Sequence, residues 1–241
     1  MRLIVVKNYD EMSKTAADIF AQDIKANPNI KLGLATGSTP IGLYKCLIEK
    51  YNNKELDFSN VVTFNLDEYY PITPDNDQSY IYFMKDNLFN HINIKPENIH
   101  IPNGMAADID QEGIDYDKTM DEFGGTDIQL LGVGRNGHIA FNEPDEFLIA
   151  GTHKTDLTED TIDANARFFD SIDDVPKQAI TMGVGQIMKS KKIVVLVSGA
   201  NKHEALEMLK SGKITTQCPI TLMNLHRDVI VIADEAAATG K

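Results

Sequence analysis

Residues 31–51 read KLGLATGSTPIGLYKCLIEKY. Leu32–Ala35 is a short apolar run that does not alternate with polar residues, the pattern of a strand buried on both faces. Thr36-Gly37-Ser38-Thr39 breaks it, and Pro40 opens a helical pattern that continues to Tyr51, proline being well suited to a first helical turn. Strand, polar turn and helix recur along the chain. Further strands are predicted at Leu3–Val6, Val61–Asn65, Ile128–Gly132, Ile193–Val197 and Val229–Ile232, with weaker candidates at Ile99–Pro102 and Lys154–Leu157. Helical periodicity lies between them at Asp10–Lys25, Ser79–His91 and Lys202–Lys210. This order predicts an α/β fold: a doubly wound, mostly parallel, Rossmann-like sheet with helices on both faces. No repeat or Gly/Ser linker divides residues 1–241, so one domain is expected, with a polar lid segment at about 156–182.

Composition narrows the class. Of the 241 residues, 42% are hydrophobic and 24% charged, ordinary globular usage that allows a sizeable core. The formal net charge of −13 repels nucleic acid and anionic lipid, so neither is expected as a partner. An anionic small molecule is still admissible, because local cations and backbone N–H groups can dominate a closed pocket. Cys46 and Cys218 have no partner at CxxC or metal-site spacing and read as structural free thiols in a reducing compartment. The apolar run before Lys7 is too short for a signal peptide or a membrane span, so the expected location is cytoplasmic.

In an open parallel sheet, ligands bind beyond the carboxyl ends of the strands. Past Ala35 come Thr36, Gly37, Ser38 and Thr39 at a helix start. This segment reads equally as an anion-binding turn or as an ordinary N-cap. It lacks the Gly-Lys-Ser/Thr ending of a P-loop. Past Asn65 comes Asp67-Glu68-Tyr69-Tyr70-Pro71. On an extended chain the two carboxylates point different ways, so one at most faces a shared pocket, where it could abstract a carbon-bound proton next to a carbonyl; a solvated acidic loop is the plain alternative. Past Gly132 comes GVGRNGHIAFNEP, residues 132–144. It matches G-x-G-x-x-G formally, but it lies mid-chain and Pro144 follows too soon for the helix of a dinucleotide site. What remains is a glycine-rich turn that gathers Asn136, His138 and Glu143, in which a carboxylate could orient a histidine for proton transfer. Lys202, at a helix start, and Arg167, beside Phe168 and Phe169, are candidate cations. No pattern of metal ligands is present, His153 standing apart from His138.

Five segments, Leu34–Pro40, Asn65–Tyr69, Gly132–Pro144, Asn165–Phe169 and Ser198–Lys202, together resemble the glucosamine-6-phosphate deaminases, in that family's order and over nearly the whole chain. The run Gly137–Pro144 is highly specific to the family. The resemblance implies conversion of glucosamine 6-phosphate and water to fructose 6-phosphate and ammonia, with no cofactor and no catalytic metal. It also implies the roles. His138, held by Glu143 and Asn136, would help open the pyranose; Asp67 would move a proton from C2 to C1; Thr36, Gly37, Ser38, Thr39, Arg167 and Lys202 would bind the phosphate.

Two departures from the family pattern bear on regulation and pH. Position 136 is asparagine where many members carry aspartate, which leaves the pH profile open. The stretch Gly151–Thr155, which in activated hexameric members carries basic residues, holds one lysine and no arginine here. The chain also stops soon after Glu235, earlier than in those members. A monomer or small homo-oligomer without activation by N-acetylglucosamine 6-phosphate is therefore expected. The rival readings are a 6-phosphogluconolactonase, which has no evident use for a base at Asp67, and a non-catalytic sugar-phosphate sensor, for which the chain has no DNA-binding module.

Overall fold

The computed structural model describes residues 1–159, 161–162, 171 and 175–241. Arg167, Phe168, Phe169 and the middle part of the expected lid lie outside the described residues. The strands are β1 (Arg2–Val6), β2 (Lys31–Leu34), β3 (Val62–Asn65), β4 (Asp67–Tyr70), β5 (Ile99–His100), β6 (Ile128–Leu131), β7 (His153–Asp156), β8 (Gln178–Thr181), β9 (Lys192–Val197) and β10 (Val229–Asp234). The described α-helices are α1 (Tyr9–Ala26), α2 (Ile41–Asn52), α3 (Tyr80–Asn87), α4 (Ile109–Glu122), α5 (Val184–Met188), α6 (His203–Lys210) and α7 (Glu235–Thr239).

Seven strands form one parallel sheet in the order β1-β10-β9-β6-β2-β3-β5. The expected doubly wound sheet is therefore present. The chain steps outward from β2 through β3 to β5, then returns to β6 and steps the other way through β9 to β10. The winding reverses between β2 and β6, and a ligand crevice opens at such a switch point. Every residue of β3, β6 and β10 is buried, as in a sheet covered on both sides. At one edge, β1 leaves Leu3 and Val5 exposed. The main core runs along this sheet and takes in the inner faces of α1 (Met12, Ala16, Phe20, Ile24) and α2 (Leu43, Tyr44, Leu47).

A second, antiparallel sheet in the order β4-β8-β7 stands beside the expected, mostly parallel one. Asp67–Tyr70 forms a strand of it rather than a loop past β3. Lys154–Leu157, read as a weak strand, is realised as β7 and pairs antiparallel. The far end of the expected lid, Gln178–Thr181, is strand β8, held on both sides, with three of its four residues buried. The cause is a small satellite core of Tyr69, Ile72, Phe141, Leu157 and Ala179, which gives this sheet its own apolar face. No described helix is long and apolar enough to cross a membrane.

Candidate active site

The turn after β2 is anchored from behind. The Tyr44 hydroxyl donates to Ala35 O, and the Tyr9 hydroxyl donates to Ser38 O while accepting from Gly42 N at 2.8 Å. Gly37 takes φ +85, a conformation open to glycine. The N-cap of α2 is Pro40, whose side chain can accept no hydrogen bond. The ordinary-cap reading of Thr36–Thr39 therefore loses its support, and the first turn keeps N–H groups for another acceptor.

Across the crevice, the turn after β6 closes on itself. Gly134 N donates to His138 O at 2.9 Å, and the imidazole lies so close that a Cβ at position 134 would sit 2.3 Å from its ring. Only glycine admits the ring there. His138 Nδ1 meets the Glu143 carboxylate at 3.1 Å. The same carboxylate accepts Asn136 Nδ2 at 2.7 Å, while Asn136 Oδ1 accepts His138 N–H at 3.1 Å. Burial alone would raise Glu143, but the bond and charge of His138, with the donors Thr161 and Asn136, hold it down to about 2. Glu143 thus remains an anion that fixes the ring through Nδ1 and leaves Nε2 for chemistry.

The β4 pleat divides the acidic pair. Asp67 lines the cavity, whereas Glu68 accepts N–H groups from Tyr69 (2.9 Å), Tyr80 (2.8 Å) and Ile81 (3.1 Å), closing the first turn of α3. Burial pushes Asp67 up to about 8, aided by the neighbouring charge of Glu68. Burial also lifts Glu68, to about 7, against the pull of its three N–H donors. A carboxyl that titrates near the working pH suits a general base that must take a proton and return it.

One cavity of about 410 Å³ joins these parts. Its walls include Thr36, Gly37, Ser38, Thr39, Asp67, Asn136, His138 and Lys202. Glu143 stands behind His138. The cavity also takes in Tyr80, Arg135, Ala140 and Thr161, which sequence reasoning did not single out. Ala140 carries φ +52, rare for a side-chain-bearing residue and concentrated at functional sites. Thr161 Oγ1 donates to Glu143 Oε1 at 2.7 Å, and nothing in its local sequence marks it. Among the described residues no cluster of His, Cys, Asp and Glu suited to a metal ion occurs.

A family model described as glucosamine-6-phosphate isomerases/6-phosphogluconolactonase matches residues 7–232. The chain belongs to that family. Among members of the glucosamine-6-phosphate isomerase/6-phosphogluconolactonase family, a glucosamine-6-phosphate deaminase of Clostridium perfringens is 61% identical over 238 residues, 99% of this chain and 98% of the relative. A glucosamine-6-phosphate deaminase of Clostridioides difficile is 57% identical over 239 residues, 99% of this chain and 96% of its own. A solved structure described as a monomeric glucosamine-6-phosphate deaminase superposes with a TM-score of 0.97 at 46% identity, covering 100% of both chains. A 6-phosphogluconolactonase from Trypanosoma cruzi shares the fold at a TM-score of 0.79 and 19% identity. The central sheet described above is therefore the family's fold.

Proposed function

We propose that this chain is a glucosamine-6-phosphate deaminase, converting glucosamine 6-phosphate and water to fructose 6-phosphate and ammonia. One observation carries the reading: a buried carboxyl with a raised pKa, Asp67, and an anion-oriented imidazole, His138, line one cavity with Thr36–Thr39 and Lys202. The relatives that match the chain end to end bear the same name.

In the proposed cycle the phosphate rests on the turn Thr36–Thr39 and on Lys202, with Arg167 as a further cation. Backbone N–H groups at the start of α2 complement its charge. His138 carries the proton between the ring oxygen and the C1 hydroxyl, which opens the pyranose to the aldehyde. Glu143 and Asn136 keep the imidazole aligned. Asp67 removes the proton from C2, giving an enolamine, and delivers it to C1, giving a ketimine. Water adds to C2 of the ketimine and ammonia leaves, so atoms balance without a redox partner. Proton transfer by a positioned side chain contributes about 10²–10⁴-fold, and two such residues act here.

Cytoplasmic location, a monomer or small homo-oligomer, and no activation by N-acetylglucosamine 6-phosphate complete the proposal. Hyperbolic kinetics unchanged by that compound are expected, and sigmoidal kinetics relieved by it would refute the regulatory part. The deciding assay measures ammonia and fructose 6-phosphate together from purified protein given glucosamine 6-phosphate. Equal yields of both are expected. Silence there, with hydrolysis of 6-phosphogluconolactone, would transfer the chain to the lactonase branch.

A further inference from the structure

Asp234 ends β10, is buried, and does not line the cavity. Its carboxylate nevertheless reaches the turn that carries Lys202. Ser198 Oγ donates to Asp234 Oδ2 at 2.6 Å, and the Gly199 N–H lies 3.1 Å from each carboxylate oxygen. Ala237 N donates to Oδ1 at 2.8 Å, so the same group also caps α7. The ladder places this reach: Ala233 is opposite Val197, and the chain beyond Val197 turns directly over Asp234. Gly199 has φ +93 and ψ 147, a conformation essentially reserved for glycine, and a Gly turn left to itself samples many others. Past Lys202 there is a second tie, from His203 Nδ1 to Ala237 O at 2.8 Å. Lys202 is thus strung between two anchors, both fixed to the segment Asp234–Ala237.

We propose that Asp234 is a positioning residue for anion binding, which acts through Ser198 and Gly199 to set where Lys202 meets the substrate's phosphate. This rests on the reading of the cavity as a sugar-phosphate site. A carboxylate suits the task because all its donors are N–H or O–H groups. Asparagine keeps the shape but turns one acceptor into a donor, so part of the set must break. The lost precision falls on binding rather than on the proton transfers, since Asp67 and His138 are held by other elements.

The test measures the affinity of the full chain for inorganic phosphate by calorimetry, together with KM and kcat, in wild type, Asp234→Asn and Ser198→Ala. Phosphate affinity and KM are expected to weaken in parallel, by about 5–50-fold in Asp234→Asn and about 2–5-fold in Ser198→Ala, with kcat within about threefold of wild type. In a Lys202→Ala background, Asp234→Asn should add almost nothing, because the two act as one unit. Unaltered phosphate affinity in a folded Asp234→Asn protein overturns the proposal, as does full additivity with Lys202→Ala. If Asp234→Asn fails to fold, Ser198→Ala decides, and unchanged affinity there overturns it. Phosphate binding is read without turnover: a wild type that binds phosphate but releases no ammonia would refute the deaminase reading and leave this proposal intact.

Discussion

Asp67 and Glu143 are two largely buried carboxyls at one cavity, and their surroundings drive them in opposite directions. Asp67 is pushed up to about 8 by burial and by the charge of Glu68. Glu143 feels burial too, yet His138, Thr161 and Asn136 hold it at about 2. The difference lies in the donors each one meets. A carboxyl surrounded by donors stays ionised and can only orient a neighbour, whereas one deprived of them becomes basic enough to take a proton from carbon.

The contrast breaks most decisively at Asp67. Asp67→Asn should lower ammonia release by about 10²–10⁴-fold, and near-normal turnover would end its assignment as the base. The same variant should be the more heat-stable protein at pH 8. Above the ordinary carboxylate range near 4 the unfolded chain has lost the proton that folded Asp67 still holds. Protons are therefore bound more tightly by the folded state, and stability falls as pH rises from about 4 to about 8. Asparagine removes that loss, so melting curves of the two proteins should separate as pH is raised, by about 2–4 °C for each kcal/mol relieved.

A pH profile sharpens the comparison next. A base with a pKa near 8 is about 1% ionised at pH 6 and half ionised at pH 8, so kcat/KM should rise roughly 50-fold over that interval. Glu143 should add no acid limb above about pH 3, and a profile flat from pH 6 to pH 8 would contradict the environment described for Asp67. Replacing the orienting anion is expected to cost less: Glu143→Gln should reduce kcat by about 10–10²-fold, measured as ammonia release at pH 8. The smallest effect belongs to Thr161→Val, which removes one donor from Glu143 and should lower kcat about 2–10-fold. Equal losses for Thr161→Val and Glu143→Gln would mean that the threonine, and not the imidazole, is the main partner of that carboxylate.

Much of this was readable in the sequence because the central strands are buried on both sides, which forces continuous apolar runs such as Ile193–Val197 and Val229–Ile232. The glycine-rich turns were equally plain, since each follows such a strand. Strand β4 escaped notice because its residues, DEYY, carry two charges, and the carboxylates face a reactive cavity and a helix terminus rather than water. Helix α4 was missed because its buried positions include Gly113, where a Cβ would lie 2.4 Å from Thr152 O; close packing against β7 replaced the large apolar residue that would have marked the periodicity. Tyr80 and Thr161 were invisible for a different reason. Each reaches the cavity by tertiary packing across at least a dozen residues of chain, which no local pattern records.

The end of β8 and the residue after it join the two walls of the cavity. Thr181 pairs with Asp67 in the antiparallel ladder, and its Oγ1 accepts the Phe141 N–H at 3.1 Å. Met182 N donates to Leu66 O at 2.7 Å, while Met182 O accepts Asn142 Nδ2 at 2.9 Å. Two adjacent residues thus rivet the strand of Asp67 to the loop of His138. The separation between Asp67 and His138 is thus set through one short segment, so a change at Thr181 or Met182 reaches both walls of the cavity at once.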